Sequence, residues 1–187
     1  MRIDNDILIP ELARLLNDGK EVRFTPSGVS MRPFIEGDRD SVILAPLTQD
    51  PKVGDILLAH ALMPDKSTAY VLHRLVRITQ SPNPLVPSSS NPLIPSSSNP
   101  LIPSSTHPLY ILQGDGNLSG EESCRREDIL GRVTSIERPS STNPLTPSST
   151  NPSRLYARLW YYLRPFRPFL LKIYRRLAVS KLSANLN

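Results

Sequence analysis

The chain has a single cysteine, Cys124, which excludes an internal disulfide framework and any cysteine metal cluster. No catalytic motif surrounds that cysteine, so it reads as a structural thiol rather than a nucleophile. No stretch reaches about 18 uninterrupted apolar residues, so no transmembrane helix is expected. Asp4, Asp6 and Glu11 stand in the first turns, against the pattern of a secretory signal peptide, and the expected location is cytoplasmic. Acids are missing from the whole stretch after Glu137. Nine cations stand there: Arg138, Arg154, Arg158, Arg164, Arg167, Lys172, Arg175, Arg176 and Lys181. Taken from the whole-chain net charge of +5, they leave −4 on residues 1–137. The mildly acidic body argues against a nucleic-acid surface, and the basic character belongs to the tail.

Proline is in excess. Its 20 residues are too many for a plain globular chain, but they are concentrated in two tracts. Residues 83–106 are three copies of an eight-residue unit, Asn-Pro-Leu-Val/Ile-Pro-Ser-Ser-Ser/Thr, and a near-copy runs from Asn143 to Thr150. Proline removes ladder donors and Asn/Ser composition cannot bury a core, so both tracts should be extended and solvated. The first falls where a hairpin loop belongs, and long surface insertions cost little loop-closure entropy. His107 stands where the repeat carries Asn and receives no chemical role.

Outside the tracts, hydrophobic periodicity sets the elements. Residues 5–18 read as an amphipathic helix with Ile7, Leu8, Leu12, Leu15 and Leu16 at helical spacing and Gly19 ending it. Strand patterns follow at Glu21–Phe24, Ser41–Ala45, Asp55–Leu62, Ala69–Ile78, Leu109–Gln113 and Ile129–Glu137. The fold class is therefore mainly β with a barrel-like core. Pro165 and Pro168 should divide the basic, aromatic stretch 153–181 into two short helices. The expected organisation is an N-terminal helix at 1–20, a β domain at 21–137 carrying the 83–106 insertion, a linker at 138–152, and a tail at 153–187. A length of 187 residues fits one domain with such additions.

Between the first two strands lies Thr25-Pro-Ser-Gly-Val-Ser-Met-Arg-Pro-Phe-Ile-Glu-Gly-Asp38. Gly28 permits positive φ or close backbone approach, and Pro33 restricts the chain around Arg32. A serine held there, Ser30, has the fixed hydroxyl direction that a nucleophile needs. Two later stretches stand beside this one: Tyr70-Val-Leu-His73-Arg74-Leu-Val-Arg-Ile78, and Gln113-Gly114-Asp115-Gly116-Asn117 with Ile129-Leu-Gly131-Arg-Val following. In this order they resemble the type I signal peptidase superfamily, which also contains the LexA-type self-cleaving repressors. His73-Arg74 stands where bacterial leader peptidases carry Lys-Arg and is similar to the endoplasmic-reticulum and SipW-like branch. The resemblance covers about residues 20–137. It implies a signal-peptidase/LexA-like β-barrel, with Gly28, Met31, Pro33, Gly37, Asp38, Gly114 and Asp115 as its structural motif residues. The family's membrane anchor is replaced here by the short N-terminal helix.

A serine hydroxyl is a poor nucleophile at neutral pH and needs a base within reach. None of Lys20, Lys52 or Lys66 lies in a strand beside the matching motif, whereas His73 does. Imidazole titrates near pH 6.5 as a residue type, which suits a general base. His60 also sits in a strand but carries no motif. The resemblance implies a carboxylate a few residues beyond Gly114-Asp115, which arrives at Glu121, with Asp115 as the alternative. The Ser30 backbone N–H is the first oxyanion donor implied, and Gly28 stands where several relatives add a hydroxyl. Arg74 is expected to pair with a core carboxylate, Asp38 or Asp115.

The functional expectation is a serine endopeptidase acting on extended peptides or leaders, with no metal and no cofactor. A LexA-type self-cleaving regulator is the alternative, against which stand the missing helix-turn-helix and lysine. A catalytically silent peptide-binding module is a third. Residues 153–181 are expected to contact anionic membrane peripherally, at the inner membrane face, with Leu155, Leu159, Tyr162 and Leu163 on one side and Trp160 and Tyr161 at the boundary. Packing of the same apolar side on the β-core is the rival reading. No nucleic-acid partner is expected.

Overall fold

The structure, a computed structural model, describes residues 5–80, 108–139, 148–150, 159–160 and 162–184. The three repeat copies at 83–106, most of the fourth, and residues 151–158 lie outside the described residues. Helix α1 (Asn5–Asn17) buries Ile9, Leu12 and Leu16, one stripe at helical spacing. Ile7, expected on that stripe, is exposed, so the buried face is rotated toward Ile9.

Eight strands follow: β1 (Val22–Phe24), β2 (Ser41–Ala45), β3 (Ile56–Leu62), β4 (Thr68–Gln80), β5 (Pro108–Gln113), β6 (Glu122–Cys124), β7 (Ile129–Arg138) and β8 (Ser148–Thr150). They form one sheet in the order β1-β2-β7-β3-β4-β5-β6, with β8 added on β7 and every pairing antiparallel. The fold is mainly β, as expected. β6 also meets β3 at Leu62↔Ser123, so the far end of the sheet returns to its middle.

The core has two halves, and β3 belongs to both. Ile56 and Leu58 join Ile9, Leu12, Leu16, Val42, Leu44, Val133 and the serine-loop residues Met31 and Ile35. Leu57, Ala59 and Ala61, on the opposite face, join Val71, Leu75, Tyr110, Leu112 and Cys124. Successive strand side chains alternate between faces, so a strand buried on both reads as the near-continuous apolar run Ile-Leu-Leu-Ala.

β4 changes partner along its length. Thr68 to Arg74 pair with β3, and Arg74 to Gln80 pair with β5. His73 and Arg74 sit at this handover. Gln80 and Pro108 are the last register pair before the chain leaves for the repeats.

Two short strands depart from the sequence expectation. β6, Glu-Ser-Cys, carries no apolar alternation. β8 falls inside the expected linker: Ser148-Ser149-Thr150, the proline-free end of the fourth repeat, pairs with Ile136–Arg138. Only there in the unit do three consecutive residues all keep the amide proton a ladder requires.

The tail departs as well. A 3₁₀ turn at Arg164–Phe166 holds Pro165, and α2 (Arg167–Ala184) begins with Pro168 in its first turn, where a missing N–H costs nothing. The prolines do mark a break, but α2 runs 18 residues rather than forming a short helix. No helix among the described residues is long and apolar enough to cross a membrane.

Candidate functional site

The serine loop is a series of tight turns pinned at both ends. Val29 C=O accepts from Arg32 N–H at 3.2 Å, and Met31 C=O accepts from the N–H groups of Phe34 and Ile35 at 3.0 Å. The Arg32–Pro33 peptide is cis. Met31 and Ile35 are buried, so the apolar residues hold the loop while Ser30 stays partly exposed. At the loop's neck Asp38 N–H donates to Pro26 C=O at 2.8 Å. There the backbones of Gly28 and Gly37 touch: a Cβ on Gly37 would lie 2.1 Å from Gly28 O, and Gly28 itself has φ +93°. Both positions thus require glycine, one for close approach and one for its dihedral.

Ser30 and His73 line the same cleft, a cavity of about 180 Å³ whose walls include Ser27, Gly28 and Tyr70. His73 is 5% exposed, and its Nδ1 lies 3.0 Å from Glu122 Oε2, itself on a buried residue of β6. A carboxylate only accepts, so a neutral imidazole in this contact carries its proton on Nδ1 and its lone pair on Nε2. The arrangement is a buried carboxylate behind an imidazole, on a cleft shared with a serine.

A second pair of groups ties β4 to the serine loop. Arg74 donates from Nε to Asp115 Oδ1 at 2.9 Å and from Nη2 to Asp115 Oδ2 at 2.7 Å, while Nη1 reaches Gly54 C=O at 2.8 Å. Both side chains are almost fully buried. Such a pair requires good geometry and satisfied hydrogen bonds to hold its charges out of water, and this fork supplies both. Asp115 sits in the Gly114-Asp115-Gly116 turn, whose Gly116 N–H donates to Ser30 C=O at 2.7 Å. The fit is close enough to exclude side chains: a Cβ on Gly114 would stand 2.6 Å from Ser30 O, and one on Gly116 2.8 Å from Val29 O. Through Arg74, Asp115 and Gly116, the strand that carries His73 therefore positions the backbone of Ser30.

The structure moves the histidine's carboxylate partner by one residue. Glu121 pairs with Arg77 Nη2 at 2.9 Å on a half-exposed surface, and Glu122 takes the bond to His73. Alternation in β6 is the reason: Glu122 and Cys124 share the inward face, and Ser123 between them is less buried. Asp115, the alternative, serves the turn and Arg74.

The other basic residues and the cysteine lie away from the cleft. His60 stands beside Tyr70 across the β3–β4 pair, ring centroids 4.8 Å apart, and does not line the cleft; Lys20, Lys52 and Lys66 do not line it either. Burial, with Asp128 and Glu127 nearby, pushes the Cys124 thiol up to about 12, so it stays protonated and unreactive. No cluster of three potential metal ligands occurs among the described residues.

The tail contributes groups that sequence reasoning missed. Trp160 was expected at a membrane boundary. It is instead buried, donating Nε1–H to Asp115 C=O at 2.9 Å and meeting the Phe34 ring edge-on at 5.5 Å. Arg167, also buried, donates to Gln113 Oε1 at 3.3 Å and to Trp160 C=O at 3.2 Å. Tyr174 donates its hydroxyl hydrogen to Glu36 Oε2 at 2.9 Å. These contacts strap the tail across the back of the Ser30–Asp115 junction. No family model matches the chain, and no curated protein or solved structure matches it either.

Proposed function

We propose that the chain is a serine endopeptidase in which Ser30 is the nucleophile, His73 the general base and Glu122 the residue that positions the imidazole. The observation that carries this reading is the shared cleft: Ser30 and His73 line it together, and Glu122 accepts from His73 Nδ1 behind it. His73 Nε2 takes the Ser30 Oγ proton as Oγ attacks the scissile carbonyl. The Ser30 N–H stabilises the oxyanion, and the proton passes to the departing amine. Water then enters by the same base and frees the acyl group.

The edge of β4 supports a peptide substrate. Residues 68–73 pair with β3 on one side only among the described residues, and Tyr70 to His73 lie along the cleft opposite Ser27, Gly28 and Ser30. An extended peptide can add as a strand along that edge, its carbonyl brought to Ser30. Strands β3 to β6, joined at Leu62↔Ser123, also agree with the signal-peptidase/LexA-like barrel that the sequence resemblance implies. The lysine-based self-cleaving alternative is less well supported, since no described lysine lines the cleft.

The test is labelling with a fluorophosphonate followed by peptide mapping, beside hydrolysis of a degenerate peptide library. Modification should fall on Ser30 alone and vanish in Ser30→Ala, together with hydrolysis. Modification elsewhere, or hydrolysis surviving Ser30→Ala, overturns the assignment; hydrolysis by neither protein leaves the peptide-binding module as the function.

A further inference from the structure

The tail has two faces with different chemistry. In α2, Arg167, Leu170, Leu171 and Tyr174 turn inward at i, i+3, i+4 and i+7, with Arg167 and Leu171 buried. Phe169 and Ile173 occupy the outward stripe, flanked by exposed Lys172 and Arg176. The turn before the helix adds Leu159, Tyr162 and Phe166, which are 55%, 76% and 61% exposed. Scattered exposed apolar residues need no explanation, but five large ones within fifteen residues form a patch that does.

We propose that this outward face is a membrane-docking surface that lies in the headgroup region of an anionic bilayer. Charge complementarity identifies the occupant. No Asp or Glu occurs after Glu137, and Lys172 and Arg176 flank the apolar stripe as an interfacial helix requires. Glu36, the acid that meets the inward face, is tied to Arg32 and Tyr174 and leaves the outward charge cationic. Exposed aromatics interleaved with leucine and isoleucine fit acyl chains, whereas stacking on bases requires them set in a polar groove. The bonds from Trp160, Arg167 and Tyr174 to the β domain fix the surface in one orientation to the body. The protein would therefore sit on a membrane in a defined pose. This inference is independent of the catalytic reading.

Flotation of the full-length protein with phosphatidylcholine vesicles, with and without phosphatidylglycerol, tests it. The protein should float with the anionic vesicles and be released as salt rises. Phe166→Asp with Phe169→Asp should lower its partition by about tenfold or more at unchanged melting temperature. Lys172→Glu with Arg176→Glu should remove the preference for anionic lipid. Failure of the wild-type protein to float, undiminished flotation of the aromatic double variant, or binding to duplex oligonucleotide but not to vesicles overturns the proposal.

Discussion

Glu121 and Glu122 are neighbours of the same chemistry, and their substitution should have opposite consequences. Glu122 Oε2 lies 3.0 Å from His73 Nδ1, with both side chains more than nine-tenths buried. A hydrogen bond to a charged group contributes about 1.5–3 kcal/mol. Here it is demanded most when His73 becomes cationic, so most of that energy is withdrawn from the transition state. With about 1.4 kcal/mol per factor of ten, Glu122→Gln should slow the reaction roughly ten- to 150-fold. A glutamine amide that turned its NH₂ toward Nδ1 would also hold the ring in the tautomer with the proton on Nε2, which cannot accept from Ser30. Glu121 meets Arg77 with side chains 26% and 56% exposed. An exposed pair of that kind contributes about 0–1 kcal/mol, none of it directed at the reaction, so Glu121→Gln should stay within about threefold of wild type. The assay is the second-order rate of fluorophosphonate modification at Ser30, with peptide hydrolysis in parallel and melting temperature as control. A tenfold loss in Glu121→Gln, or a rate within threefold of wild type for folded Glu122→Gln, would refute the reasoning.

Other substitutions probe the rest of the site. His73→Ala should lower hydrolysis by about 10²-fold or more with little change in melting temperature; a variant retaining above a tenth of the rate removes His73 as base. Gly114→Ala places a Cβ 2.6 Å from Ser30 O, where 3.4–4 Å is ordinary contact, so the serine loop must retreat by about 1 Å and the rate should fall by about 10²-fold in a folded protein. Full activity in Gly114→Ala would show that the loop is not held at that contact. The Asp40 carboxyl is held below its usual range: burial opposes this, but hydrogen bonds from Arg39 and Glu36 N–H, with Arg138 nearby, outweigh it. A depressed carboxylate stabilises the fold at pH values above its unfolded value near ~3.9 and loses that contribution as pH falls through the lower folded value. Asp40→Asn should therefore be less stable by about 1.5–3 kcal/mol at neutral pH and converge on wild type in acid, as read from denaturant unfolding at several pH values. Equal stability at neutral pH would contradict the argument. Because Gln80 and Pro108 are register partners, deleting 83–106 should leave strand content and hydrolysis almost intact; lost strand signal in circular dichroism would contradict this.

The elements legible in the sequence were those whose period is written in consecutive residues. α1 and six of the eight strands lie where apolar spacing put them, since burial of one face requires that spacing whatever the fold. Ser30 and His73 were read as candidates from a constrained turn and a strand segment that resemble signal peptidase motifs, and the structure brings both to one cleft. β6 and β8 were not legible, because Glu-Ser-Cys and Ser-Ser-Thr carry no apolar alternation and their pairing depends on which edge β5 or β7 presents. Trp160 shows the same limit. An amphipathic ring beside arginines reads as interfacial, and only the carbonyl of Asp115, 45 positions away, shows where its N–H is satisfied.

By itself, then, the sequence determined what local chemistry dictates: a mainly β chain with a proline-rich insertion, a basic tail, and a serine in a constrained turn and a histidine on a strand as candidates. The tertiary structure alone decided which carboxylate faces His73, which of Asp38 and Asp115 holds Arg74, and which of the two readings of the tail places Trp160. The reason is physical. A backbone turn or an amphipathic period is specified by neighbours a few bonds apart, whereas a hydrogen bond across 49 residues exists only once two strands have settled into register.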